Sequence, residues 1–151
     1  MRGAVAGTLG GRHETRAVVT CTEFELVINS KAAKATAGGA SAGGTKVAEI
    51  GPIPKVDATQ YLLRINEANR PPGSTTPVHT HPGSESFYVL AGETSSRGPH
   101  GVMRVAAGEV ATGHGADMPM QVSSSGSTDL HALVMFVVDA TKPFSSPAQF
   151  P

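Results

Sequence analysis

Residues 72–93 read PGSTTPVHTHPGSESFYVLAGE. Pro72, Gly73 and Pro77 interrupt the chain ahead of His79 and His81, and Pro82 and Gly83 interrupt it again before Glu85 and the apolar run SFYVLAG. In extended backbone, side chains two residues apart share a face, so His79 and His81 project into one space. The turn at Pro82 and Gly83 lets Glu85, at the start of the next strand, swing back beside both rings. Two imidazoles and a carboxylate converging from adjacent strands form a facial ligand set. Such a set holds iron, manganese, nickel or zinc and leaves positions open for water or substrate. The bland reading of the same residues is a polar loop with a solvated glutamate, since a bare H-x-H recurs by chance.

The flanking sequence is built from strands. QYLLRIN (60–66) alternates, with Tyr61, Leu63 and Ile65 on one face and Arg64 and Asn66 on the other; TEFELVIN (22–29) alternates likewise through Phe24, Leu26 and Ile28. SFYVLAG and HALVMFVVD (131–139) are nearly continuous apolar runs rich in β-branched and aromatic residues, the pattern of strands covered on both faces. GPHG (98–101) has the composition of a hairpin tip. With 18 glycines and 11 prolines in 151 residues, the apolar runs are too short for long helices. The expectation is an all-β chain. KAAKATAGGASAGGTK (31–46) breaks the pattern and reads as a flexible loop with at most one helical turn.

Charge and composition exclude several classes. Twelve basic residues balance twelve acidic ones, and no Lys or Arg stripe tracks a phosphate backbone, so a nucleic-acid partner is not expected. No apolar run reaches bilayer length and the first residues lack a signal-peptide core, so the expectation is no membrane partner and, by default, a cytoplasmic location. Cys21 is the single cysteine, which leaves no intramolecular disulfide; it reads as a buried, inert thiol. There is no G-x-S-x-G elbow, phosphate loop or dinucleotide fingerprint. One domain is expected over residues 17–142, between an N-terminal arm at 1–16 and a C-terminal tail at 143–151.

Gly73, five residues, His79-x-His81, three residues, Glu85, six residues, Gly92 resembles the first motif of the cupin superfamily. The resemblance covers residues 61–138. It implies a double-stranded β-helix, that is, a jelly-roll barrel of two antiparallel sheets, with a divalent transition metal (Fe, Mn, Ni, Zn or Cu) held by His79, His81 and Glu85 in the barrel mouth. It also implies a second motif with a third histidine, and here the sequence departs. In GEVATGHGADMPMQVSSSG (108–126), Met120 falls where that histidine belongs and Ser124 replaces the usual asparagine; a register one residue shorter puts Pro119 there.

Three completions of the site are open. Met120 could donate a thioether, although Met118, Met120 and Val122 share strand parity and also read as core filling. His114 could reach in from its glycine-flanked loop. Water could fill the shell, which is the working choice. His13 and His100 read as solvated, and His131 as the cap of the last strand. Phe87, Val89 and Ala91 share parity with Glu85 and are the expected apolar lining.

Two function classes follow. One is a small metal-dependent enzyme acting on an organic molecule, of dioxygenase type or of isomerase, lyase or cyclase type. The other is a barrel that binds or senses a small molecule at a degenerate metal site. Small cupins commonly pair, so the resemblance also implies a homodimer, with TEFELVIN available to extend a neighbour's sheet; a monomer is the alternative.

Overall fold

Short apolar runs between turn formers become strands. The computed structural model describes residues 47–151, and among them it has nine strands and no helix. These are β1 (Tyr61–Arg70), β2 (His79–Thr80), β3 (Gly83–Ala91), β4 (Glu93–Gly98), β5 (Gly101–Ala106), β6 (Val110–Thr112), β7 (Gln121–Ser124), β8 (Leu130–Asp139) and β9 (Ser146–Pro147). The expected strand at 22–29, the alanine- and glycine-rich loop, the arm at 1–16, His13 and Cys21 lie outside the described residues.

All pairings are antiparallel. One sheet has the order β1-β8-β3-β6, a second β5-β4-β7, and β2 with β9 forms a short third ribbon. The hairpin read from GPHG is present, with Gly98 opposite Gly101 at the tip of β4 and β5. The expected jelly-roll architecture of antiparallel sheets is therefore observed.

Register decides what faces inward. On β3 the inner row is Glu85, Phe87 and Val89; opposite it on β8 stand Phe136, Val134 and Ala132. Residues directly opposed in an antiparallel ladder share a face. β8 is buried fully at every second position and half-buried between, so its apolar run has one dry face and one partly covered one. The core has two adjoining clusters, Phe87, Val134, Phe136 and Val138 in one, Val89, Val105, Leu130 and Ala132 in the other, and Met103 from the second sheet packs against both. Ala91 falls out of the inner row because the register of β3 shifts after Val89, leaving it exposed.

The C-terminal residues run alongside the histidine strand. β9 pairs with β2, placing Ser146 opposite Thr80 and Pro147 opposite His79, and the Ala148 amide donates to the Val78 carbonyl at 3.1 Å. The segment thus lies along the histidine strand and helps build the barrel wall.

One turn depends on glycine. Gly92, between β3 and β4, has φ +73°, and a Cβ there would come within 2.6 Å of the Asp129 carbonyl oxygen. A left-handed backbone alone costs an L-residue roughly 1–2 kcal/mol, and here backbone must also move. Gly92→Ala is expected to lower stability by about 2 kcal/mol or more, read from the midpoint of denaturant unfolding. An unchanged midpoint would mean that the turn relaxes freely.

Candidate functional site

The site begins with the short strand β2. Its backbone is clamped on one side by Met120, the His79 amide donating to the Met120 carbonyl at 2.9 Å and the Met120 amide to the His79 carbonyl at 2.8 Å, and on the other side by β9. This holds His79 and His81 extended with both rings on one face, edge to face at 4.9 Å between centroids.

Each ring is oriented by a carbonyl. His79 Nδ1 lies 2.9 Å from the Pro77 carbonyl oxygen, and His81 Nδ1 lies 2.6 Å from that of Phe144. A carbonyl can only accept, so in both rings Nδ1 carries the hydrogen. In the neutral tautomer the lone pair then sits on Nε2. Tying the other ring N–H to a carbonyl is the way a protein orients a ligating histidine. His81 is only 4% exposed and packs against Phe136 and Phe144, with centroids at 4.8 and 4.7 Å. Burial lowers its pKa, opposed by the Phe144 carbonyl, and the positive charge of Arg64 adds to the lowering, so this ring favours the neutral state.

Glu85 sits on β3 in the row of Phe136, 3% exposed. Its Oε2 is buried without a hydrogen-bond partner. Desolvation pushes its pKa up to about 8, against a smaller lowering from Arg70. Ser84 and Ser124 also bury unpartnered hydroxyls, but neither is on the cavity wall.

His79, His81 and Glu85 line one cavity of about 790 Å³, together with Phe87, Arg70 and Phe144. The structure thus brings the three sequence-derived residues into a common space. They do not close into a ready-made ligand shell, and no group of three His, Cys, Asp or Glu side chains among the described residues does so. The donor chemistry nevertheless fits a divalent metal: two imidazoles with Nε2 available and one carboxylate oxygen lacking any partner.

The two additional candidates are placed elsewhere. His114 Nε2 lies 3.1 Å from Ser96 Oγ and its ring packs over Gly98, off the cavity wall. Met120 stands opposite His79 but is fully buried and is not part of the cavity wall, as core filling requires. His100 is exposed at the hairpin tip, and His131 is bound by Glu67 at 2.7 Å. Tyr61 does not line the cavity; its hydroxyl donates to the Val56 carbonyl at 3.2 Å.

Sequence reasoning missed Phe144 and Arg70. Phe144 is 63 positions from the histidine it orients, and no local pattern links them. Arg70 had a faint signal, because it shares strand parity with Arg64 and Asn66.

Two antiparallel sheets enclose a cavity whose wall carries His79, His81 and Glu85 at the first-motif spacing. The fold is a cupin-like double-stranded β-helix. Solved structures similar to this chain include the DMSP lyase DddQ from Ruegeria pomeroyi DSS-3 (23% identity, TM-score 0.48, covering 57% of this chain and 43% of the lyase). Others are the polyketide cyclase RemF from Streptomyces resistomycificus (20%, TM-score 0.47, 59% of this chain and 62% of the cyclase) and a cupin 2 conserved barrel domain protein from Leptotrichia buccalis (18%, TM-score 0.44, 55% and 43%). The chain therefore spans less than half of the lyase and under two thirds of the cyclase. No family model and no curated protein matches the chain.

Proposed function

We propose that this barrel binds a divalent transition metal through His79, His81 and Glu85 and acts on a small organic molecule held in the same cavity. The observation that carries the reading is the buried, unpartnered Oε2 of Glu85 in one cavity with two imidazoles whose Nδ1 hydrogens are tied to backbone carbonyls. An unpaired buried carboxyl is costly, and a coordinated cation would relieve the cost.

When bound, such a metal supplies Lewis acidity or, for iron or copper, redox chemistry at its remaining positions. The chain does the rest. The Pro77 and Phe144 carbonyls fix the imidazole tautomers, and Phe136 and Phe144 keep water from His81. The wall of Phe87, Val134 and Phe136 presents an apolar surface to a substrate. Glu85 serves as a ligand and not as the general base. Dioxygenase chemistry and isomerase, lyase or cyclase chemistry both use such a site, and the identity of the metal divides them.

Elemental analysis of protein purified without a histidine tag or chelator tests the metal. Near-stoichiometric iron, manganese, nickel, zinc or copper is expected. Its absence, even after reconstitution with each ion, would leave a barrel that only binds its ligand.

The raised pKa of Glu85 sets a pH signature. Below about pH 8 the metal-free carboxyl is protonated, so binding of the metal must expel that proton. About one proton from Glu85 is expected per ion near pH 7, and apparent affinity should rise about tenfold per pH unit up to about pH 8, then level. Calorimetry in buffers of different ionisation enthalpy reads the proton directly. The same measurement on Glu85→Gln should lack this component; equal proton release from both proteins would remove Glu85 from the ligand set.

A further inference from the structure

The inward row of β1 is polar where the facing row of β8 is apolar. Opposite Phe136, Val134, Ala132 and Leu130 stand Arg64, Asn66, Ala68 and Arg70. Arg64 is engaged, its Nε donating to Asn66 Oδ1 at 2.9 Å and its guanidinium lying 4.3 Å above the Phe144 ring. Arg70 is different. It is half-buried, lines the cavity, and forms no hydrogen bond or ion pair among the described residues.

The described acids on the cavity wall are Glu67, whose carboxylate is taken up by His131 at 2.7 Å, and Glu85. Neither lies within ion-pair distance of the Arg70 guanidinium. The cavity wall thus carries a guanidinium that no carboxylate among the described residues pairs. A partly desolvated cation of that kind calls for an anion. The planar fork of a guanidinium matches the two oxygens of a carboxylate. Asn66, whose Oδ1 is occupied by Arg64, keeps its amide hydrogens for a second oxygen, and Phe87, Leu130, Val134 and Phe136 supply an apolar wall.

We propose that Arg70 binds the carboxylate of the molecule this cavity takes, so that the ligand class is a small organic acid with an apolar body. The inference rests on the reading of the cavity as a small-molecule site and does not require the metal.

Hexanoate and hexanamide, alike in shape and different in charge, test it by titration calorimetry and ¹H–¹⁵N NMR on the metal-free full-length chain. Wild-type protein is expected to bind hexanoate roughly tenfold or more tightly than hexanamide. Arg70→Gln should lose that preference without weakening hexanamide, and Arg70→Lys should keep part of it. Circular dichroism checks that the variants fold; if Arg70→Gln does not, Arg70→Lys and the wild-type acid-to-amide ratio decide. Equal affinity for acid and amide, no hexanoate binding by wild type, or hexanoate affinity unchanged in folded Arg70→Gln would overturn the proposal. Metal content measured on the same proteins before the metal is stripped, and again after reconstitution, separates the two readings. Arg70-dependent acid binding without metal uptake would sustain the carboxylate pocket and sink the metal centre; metal uptake without acid discrimination would do the reverse.

Discussion

Glu85→Gln is expected to give a protein that takes up no stoichiometric metal and whose stability, in metal-free form, no longer falls as pH rises from about 4.5 to 8. Glutamine keeps the shape of the side chain and removes the ionisation. In the parent the folded carboxyl titrates at about 8 against an ordinary value of 4.5, because burial disfavours the anion. The folded state therefore retains a proton that the unfolded chain releases. The stability linked to this group is fully present below the unfolded pKa and is lost as pH rises through the folded one. At about 1.4 kcal/mol per pKa unit, the loss amounts to several kcal/mol across that window. Denaturant unfolding at a series of pH values in the presence of chelator measures it: the parent curve should fall relative to the variant curve as pH rises, the difference isolating the carboxyl from the histidines that titrate in both proteins. Parallel curves would show that the carboxyl is solvated in the folded chain. For the metal, loss of a ligand should weaken binding by more than the roughly 10–100-fold that supporting residues contribute, and full metal content in the variant would refute the ligand assignment.

Phe87→Ala is expected to cost about 3–5 kcal/mol, a large share of the 5–15 kcal/mol that holds a typical domain together. Phe87 is 1% exposed and packs with Val134, Phe136 and Val138 between the two sheets. It also borders the cavity, so truncation enlarges an existing void instead of opening an isolated one. That places the expected cost nearer the lower figure. Phe87→Leu, which retains most of the volume, should cost less than half as much. Equilibrium unfolding with an unchanged denaturant slope checks both, and a cost under about 1 kcal/mol for the alanine variant would show that the ring is not the link between the sheets.

The strands were legible because their information is local. Alternation at 60–66, the apolar runs at 86–92 and 131–139, and the GPHG tip are read within windows of a few residues, and each became the expected element. The placement of His79, His81 and Glu85 on one cavity was legible for the same reason: two-residue parity and a short turn set it. Legibility failed where a side chain depends on something distant or on a ladder irregularity. Ala91 has the right parity for the lining and is lost from it through the register shift after Val89. His114, with glycines on both sides, had backbone freedom to reach inward and instead lies over Gly98 against Ser96.

By itself, then, the sequence determined the all-β class and the H-x-H and glutamate wall, since period-two alternation and turn chemistry act within a few residues. Tertiary structure alone decided what surrounds that wall. It set the Phe144 carbonyl 2.6 Å from His81, turned the polar row of β1 toward the cavity, and buried Glu85 without a partner. Those features come from which strands become neighbours. The neighbours that build this site are separated by tens of residues, as β1 is from β8 and β2 from β9, and their pairing is settled by packing two sheets around one core, which no local stretch of chain encodes.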